Sequence, residues 1–273
     1  MNASFLRVLA TPAPSARIVD AVTDALAASG GRILIAAVDP DMDCAVWDAE
    51  VDRPAGAAAS AAAALRVDSH ARLHFFGLSA SSEQAPDEAA LCAMLGETLD
   101  APVYAARRAV PASQWVADRP FVLRIDGFSI ARVQADYLRP GGRGLGVAVE
   151  LGPPTLWLKA MLHAVPGHAL SRICDAAGGP RGGLAHIGAY PGVSARSGAP
   201  FLLIECSDPS KSPLTRALEI VDIEAARYGG SIGATALLSH VPLDALLGTL
   251  AGGMPLHTQP AQVIETHLTR PAR

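Results

Sequence analysis

Short apolar runs of strand length alternate with amphipathic helical stretches along this chain, and the same order of elements occurs twice. In the first half, strands are predicted at residues 5–10, 32–38, 44–51 and 67–76, with helices at 15–30 and 54–65. In the second half, strands are predicted at residues 156–165, 184–190, 201–206 and 232–239, with helices at 166–177 and 212–229. Each half therefore has the order βαββαβ.

This repeated order predicts an α/β chain of the α+β type, made of two consecutive ferredoxin-like βαββαβ sandwiches with a cleft between them. The two domains are expected at residues 1–150 and 151–273. A further helix from Pro86 and a strand at 102–105 extend the first half. Residues 106–153, with candidate strands at 121–125 and 146–150, are expected to connect the halves.

The composition excludes several classes of protein. Half of the 273 residues are hydrophobic and 18% are charged, which supports a folded core and argues against a disordered chain. A net charge of −4 without a basic run offers no footprint for nucleic acid or for an anionic membrane surface. Four scattered cysteines without a C-x-x-C motif, and no apolar leader, indicate free thiols and a cytoplasmic protein.

The densest group of titratable residues lies on one predicted strand. Asp68, His70, Arg72 and His74 alternate with Ser69, Ala71 and Leu73 and therefore share one face. An imidazole oriented by a carboxylate could act there as a general acid or base, or the two histidines could bind a metal. A solvated strand face without a role is the third interpretation.

The spacing argues against the metal. The two histidines stand four residues apart, which is about 13 Å along a strand at a rise of about 3.3 Å per residue. No metal is therefore predicted. The sequence also lacks a P-loop, a G-x-S-x-G motif and a dinucleotide fingerprint that leads into a helix.

Other polar residues occur on predicted strands of the second half. Lys159 and His163 share one face of its first strand, and Glu205 lies within the apolar run FLLIEC. A carboxylate buried in such a run needs a partner or a function. Ligand sites favour clefts between domains, so Lys159 and His163 are candidate substrate-binding residues.

Several stretches together resemble the formiminotransferase family, whose members transfer the formimino group of N-formiminoglutamate to tetrahydrofolate. The resemblance is best over GLAHIGAYPG, FLLIECSD, LTRALEIVDIEAARYGG and IGATALLSHVPLDALL, between Gly182 and Leu247. ATPAPSA and LGETLDAPVYAA add to it in the first half, so that about two thirds of the chain is covered. The family consists of two ferredoxin-like subdomains with a substrate groove between them, and the cyclodeaminase part found in some members has no counterpart here.

The resemblance implies roles for individual residues. The catalytic histidine of the family's His-Pro-Arg-Met-Gly motif falls on His70 of HARLH, and its arginine falls on Arg72. His70 would then be the general acid/base, Arg72 would bind a carboxylate or stabilise the tetrahedral intermediate, and tetrahydrofolate or a related pterin would be the co-substrate. Apart from the resemblance, Asp68 is a third candidate catalytic residue because it shares the strand face of His70. His74, Asp41 and Asp43 are candidate substrate-binding residues together with Lys159 and His163.

The chain departs from the family at residues that contact substrate. The family's Asn-Arg-Thr triplet falls near Asp43, Cys44 and Ala45, and the Met-Gly after the arginine is Leu73-His74. A diverged enzyme that carries out addition, elimination or hydrolysis on another small intermediate without folate is therefore an alternative. A non-catalytic binding protein of the same fold is a third. An uncovered sheet face or edge would also suit a homodimer.

Overall fold

The computed structural model describes residues 4–11, 13–39, 44–65, 70–77, 94–95, 103–106, 122–123, 147–151, 155–178, 183–194, 196–209, 211–250 and 262–268. They fall into two compact units, the first formed by the described residues between 4 and 151 and the second by those between 155 and 268.

The first unit begins with the order βαββαβ. Its elements are β1 (Ser4–Thr11), α1 (Ala16–Ala28), β2 (Arg32–Asp39), β3 (Cys44–Glu50), α2 (Pro54–Leu65), β4 (His70–Gly77), β5 (Val103–Ala106), β6 (Val122–Leu123) and β7 (Val147–Leu151). The strands form one sheet in the order β2-β3-β1-β4-β7-β5-β6. The first four strands pair antiparallel, whereas β7, β5 and β6 are added in parallel beyond β4.

The parallel strands correct one expectation. Residues 106–153 were expected to connect the two halves, but β6 and β7 belong to the first sheet and extend it beyond β4. The physical reason is that parallel partners are joined by long crossovers, so their pairing leaves no local pattern in the sequence. The candidate strands themselves, at 121–125 and 146–150, are present at Val122–Leu123 and Val147–Leu151.

Helices α1 and α2 pack on one face of the first sheet. Leu6, Val8 and Ala10 alternate along β1 and join Trp47 of β3 and Leu73 of β4 in the core. Helix α1 contributes Val22 and Leu26, and the Ala-rich α2 contributes a stripe of small side chains, Ala57, Ala58, Ala61 and Ala62. Small side chains let a helix approach the sheet closely, which explains why an almost purely alanine helix suffices here.

The second unit has the same order of elements. They are β8 (Leu156–His163), a 3₁₀ turn (Gly167–Ala169) that leads into α3 (Leu170–Ala177), β9 (Ile187–Val193), β10 (Pro200–Cys206), α4 (Leu214–Ala226), β11 (Ser231–Leu237), α5 (Leu243–Leu250) and α6 (Glu265–Leu268). The sheet order is β11-β8-β10-β9, with antiparallel pairing throughout. It has the same arrangement as β4-β1-β3-β2 in the first unit.

The core of the second unit repeats the design of the first. Leu156, Leu158, Ala160 and Leu162 alternate along β8 and pack with residues of α3 and α4. The helix ends also correspond. Gly30 follows α1 with φ +79° and Gly229 follows α4 with φ +78°, a left-handed conformation that glycine adopts at little cost.

The two units establish an α+β protein, so the predicted fold class is confirmed. Some boundaries differ from the prediction: β9 spans Ile187–Val193 rather than 184–190, because the chain first turns at residues 185–186. Among the helices that the structure describes, none combines the length and the apolar character needed to cross a bilayer.

Candidate functional site

The face of the first sheet opposite α1 and α2 carries the candidate site. Its residues alternate with the core residues along each strand. They include Phe5, Arg7 and Leu9 of β1 together with Val46 and Asp48 of β3. We call it the helix-free face of the first sheet, a name that refers to the described residues alone, in which α1 and α2 pack on the opposite face. All five side chains are buried, with Arg7 2% and Asp48 1% exposed.

Arg7 and Asp48 form a buried ion pair across β1 and β3. The Arg7 Nε donates to Asp48 Oδ1 at 2.7 Å, and Arg7 Nη2 donates to Asp48 Oδ2 at 3.1 Å. The two strands place the residues directly opposite each other in the ladder. Two parallel charge-assisted hydrogen bonds fix the guanidinium in one orientation and compensate both charges where water is excluded.

Three of the predicted site residues lie on β4, beside this pair. In the ladder between β1 and β4, His70 is opposite Thr11, Arg72 is opposite Leu9 and His74 is opposite Arg7. The three residues therefore occupy alternate positions next to the helix-free face of β1. The structure brings them to one strand, as predicted, whereas Asp68, Asp41 and Asp43 lie outside the described residues.

The neighbouring strand on the other side of β4 adds a carboxylate. Glu150 of β7 is the register partner of His74. Neither it nor the Arg7–Asp48 pair was among the residues singled out in the sequence. The available signal was a charged residue within an apolar strand, as in FLRVLA and AVWDAE, but the sequence alone does not show which strands pair.

The second unit carries a different polar group on the corresponding face of its sheet. Lys159 of β8 is 9% exposed and Glu205 of β10 is 4% exposed. Glu205 is opposite Trp157 in the ladder, two residues along β10 from Leu203, which is opposite Lys159. The Tyr190 hydroxyl donates to Glu205 Oε2 at 3.4 Å.

Two glycines of β9 make room for the rings on this face. A Cβ at Gly188 would lie 2.7 Å from the Tyr190 hydroxyl oxygen, and a Cβ at Gly192 would collide with the ring of Phe201. The missing side chain at Gly188 therefore lets Tyr190 lie along the sheet and reach Glu205. His163, the other predicted residue of the second unit, is exposed at the end of β8, opposite Ser231.

The cysteines of the described residues do not form a reactive site. Cys44, Cys174 and Cys206 are buried free thiols, and Cys92 lies outside the described residues. Burial raises the pKa of the Cys174 thiol to about 12, with a smaller contribution from the negative charge of Asp175. A thiol protonated at neutral pH is a poor nucleophile. Nor do the described residues contain a cluster of three or more His, Cys, Asp or Glu side chains able to hold a metal ion.

Comparisons with known proteins add no functional information. No protein-family model and no curated protein matches the chain. One solved structure, an unknown protein from Galdieria sulphuraria, is similar at 9% sequence identity and a TM-score of 0.26, over 87% of this chain and 98% of that one. A similarity at that level supports no conclusion about fold or function.

Proposed function

We propose that the chain is an enzyme that transfers a one-carbon unit, formimino or formyl, to or from a folate-like pterin at β4 of the first sheet. The observation that carries this proposal is the register of β4, which aligns His70, Arg72 and His74 along one side of the strand beside the buried Arg7–Asp48 pair. The resemblance to formiminotransferases independently assigns the catalytic histidine to His70. The two βαββαβ units also agree with the two subdomains of that family.

The proposed chemistry needs one side chain that first accepts a proton and then donates it. The attacking pterin nitrogen forms a bond to the formimino carbon, and the resulting tetrahedral intermediate collapses as the bond to the glutamate nitrogen breaks. His70 accepts the proton from the attacking nitrogen and returns it to the leaving nitrogen. Arg72, two residues or about 7 Å further along the strand, binds a substrate carboxylate or stabilises the intermediate.

A second candidate is an enzyme that uses His70 on another small intermediate without folate, by addition, elimination or hydrolysis. The observation that favours it is the burial of Cys44 and Ala45, which are both 0% exposed and stand where the resembled family has polar residues of its Asn-Arg-Thr triplet. Cys44 and Ala45 carry neither a positive charge nor a side-chain amide, so they cannot make the substrate contacts that the Asn-Arg-Thr triplet would make. His163 and Lys159 of the second unit remain proposed substrate-binding residues.

The proposal includes a homodimer in the cytoplasm. Strand β2 lies at the edge of the first sheet, and Val38 near its end is 47% exposed. An apolar edge strand is a ready surface for pairing with a second copy. Light scattering during size-exclusion chromatography would give twice the chain mass for a dimer, and the mass of one chain would contradict this part.

A kinetic assay with N-formiminoglutamate and tetrahydrofolate tests the proposed function. We expect turnover by the full chain, and a loss of about 100-fold or more in kcat for His70→Ala, because general acid–base catalysis contributes about 10²–10⁴-fold. His186→Ala is the matched control, since His186 lies in a turn of the second unit and should leave kcat unchanged.

The outcomes separate the candidates. Failure of tetrahydrofolate to bind in calorimetry, together with no turnover, would overturn one-carbon transfer and leave the second candidate. Turnover that survives in His70→Ala would show that the site is wrong, whatever the substrate.

A further inference from the structure

Strand β2 forms one edge of the first sheet and, among the described strands, pairs with β3 alone. The side of an edge strand that faces away from its partner carries a row of main-chain N–H and C=O groups that can pair with another strand. Residues 33–38 of β2 are all apolar, and Ala36, Ala37 and Val38 are exposed one after another. The edge is therefore an apolar strand that is accessible over its second half.

The matching edge of the second unit is built differently. Strand β9 occupies the corresponding place in the second sheet, and it contains Pro191 between two glycines. A proline has no N–H to donate to a neighbouring strand, and glycines weaken a strand that could pair. Strand β2 contains neither residue type. The protein thus protects one of two equivalent edges against strand pairing and leaves the other suited to it.

An extra residue in β2 brings the charges at its two ends to the same face. The pairing of β2 with β3 shifts at Leu34, as in a β-bulge. Arg32 is opposite Glu50, and Asp39 is opposite Cys44. The two residues of β3 are an even number of positions apart and share one face, so the charges that oppose them also share it. Without the extra residue, an arginine and an aspartate seven positions apart would lie on opposite faces.

Ala36 is the midpoint between these two charges. It is opposite Trp47, which lies three residues along β3 from each of the residues that oppose Arg32 and Asp39. A two-fold axis through Ala36, perpendicular to the sheet, keeps every residue on its own face and reverses the strand direction. It therefore places the arginine of each copy opposite the aspartate of the other. The strand is complementary to itself in the antiparallel direction, as a two-fold interface requires.

Resting on the homodimer included in the proposed function, we propose that β2 pairs antiparallel with β2 of a second copy about an axis at Ala36. Each end of the interface then carries Arg32 of one chain opposite Asp39 of the other, and opposite charges in such positions stabilise a strand pair. Arg32 also donates to Glu50 within its own chain. A guanidinium has five N–H donors in a planar fork and is able to serve two carboxylates.

Disulfide cross-linking of the full chain tests this register. Directly opposed residues lie about 4.5–5.5 Å apart at Cα, within the range of about 4.4–6.8 Å that a disulfide spans. We expect Ala36→Cys to form a disulfide-linked dimer under mild oxidation. Val38→Cys is the matched control, because residue 38 is also exposed but its two copies would be four ladder positions, or about 13 Å, apart along the strand. The wild-type chain gives the background from its own cysteines.

Light scattering on lysine variants provides a second measurement. Ala36→Lys places two ammonium groups opposite each other at the axis, and like charges in that position destabilise a strand pair. We expect the mass to fall from two chains to one at the same protein concentration. Ala27→Lys is the control, since Ala27 is exposed on α1 and lies outside β2, and it should keep the mass of two chains.

The outcomes separate this pairing from the rest of the proposed function. A disulfide in Val38→Cys but not in Ala36→Cys would overturn the register. A wild-type mass of two chains with no cross-link in Ala36→Cys, or a mass unchanged by Ala36→Lys, would overturn pairing through β2. A wild-type mass of one chain would overturn the homodimer as well and would leave the edge to an extended segment of another protein. Turnover of N-formiminoglutamate is measured separately, so that a failure of the one-carbon chemistry is distinguished from a failure of the pairing.

Discussion

The two units share one architecture but place their buried acid differently relative to the buried cation of the central strand. The central strands correspond position by position: Phe5, Arg7 and Leu9 on β1 match Trp157, Lys159 and Met161 on β8. Asp48 is directly opposite Arg7 and closes an ion pair at 2.7 Å. In the second unit Leu203 is opposite Lys159. The acid of that strand, Glu205, lies two residues further along β10, opposite Trp157.

The difference shows that the same arrangement of strands can hold its charged residues at different register positions. Directly opposed residues in a ladder lie about 4.5–5.5 Å apart at Cβ, whereas diagonal neighbours lie about 7–8 Å apart. The first unit therefore places Arg7 and Asp48 directly opposite each other. The second places Lys159 and Glu205 diagonally, with Tyr190 beside the acid.

The largest effect is expected from breaking the tight pair. Asp48→Asn removes the carboxylate that binds the buried Arg7 through two hydrogen bonds and should lower the free energy of unfolding by about 3–5 kcal/mol. Chemical denaturation measures it. Glu50→Gln, which removes the partner of the partly exposed Arg32, should cost at most about 1 kcal/mol. Equal losses in the two variants would show that the buried pair contributes no more to the free energy of unfolding than the partly exposed pair.

A double substitution sharpens this result. Arg7→Met combined with Asp48→Leu removes both charges and should recover most of the stability lost in Asp48→Asn, because an apolar pair of similar volume avoids the cost of desolvating charges. A double variant less stable than Asp48→Asn would contradict the view that the loss comes from an uncompensated charge.

The corresponding change in the second unit should cost less. Glu205→Gln retains an oxygen that can accept from the Tyr190 hydroxyl and removes an acid that lies diagonal to Lys159 rather than opposite it. We expect a loss of about 1–3 kcal/mol in the same denaturation experiment. A loss larger than that of Asp48→Asn would reverse the comparison between the units.

Gly188→Ala tests how Tyr190 is held against Glu205. The added methyl group would meet the Tyr190 hydroxyl at 2.7 Å, so the ring must move away and stability should fall by about 1–2 kcal/mol. Gly56→Ala in α2 of the first unit is the control, because its Cβ has nothing within 4 Å and alanine favours a helix. Destabilisation by both variants alike would indicate that the space at Gly188 is not specific.

The smallest effect is expected from alkaline pH. The pKa of Cys174 is raised to about 12, above its ordinary value of 9.0, so the folded state favours the neutral thiol. Its contribution is complete below pH 9 and is lost as the pH rises towards 12, since the unfolded chain then releases the proton first. Between pH 7 and pH 10 the wild type should lose about 1 kcal/mol more stability than Cys174→Ala. Equal losses would contradict this.

Local patterns explain which parts of the fold could be predicted. Strands such as β1 and β8 show up as apolar runs, and helices such as α1 show an apolar stripe that ends at glycine, because these features depend on neighbours in sequence. Two βαββαβ units follow from the order of those elements. The position of β7 next to β4 does not, since parallel pairing joins segments separated by about seventy residues without a local signal.

The candidate site was predictable only in part for the same reason. The alternation along β4 placed His70, Arg72 and His74 on one side of a strand. The positions of Asp48 opposite Arg7 and of Glu150 opposite His74 could not be predicted, because they depend on which strands flank β1 and β4. A sequence shows that a charge lies within an apolar strand, but the sheet order decides which charge compensates it.

The most direct test of the central claim, that the site lies on β4 of the first unit, is a crystal structure of the chain with tetrahydrofolate and N-formiminoglutamate. The account predicts ligand density at β4, with the reacting nitrogen within hydrogen-bonding distance of the His70 imidazole and a carboxylate near Arg72. Ligand density away from β4, or bound only at the Lys159 face of the second sheet, would contradict it.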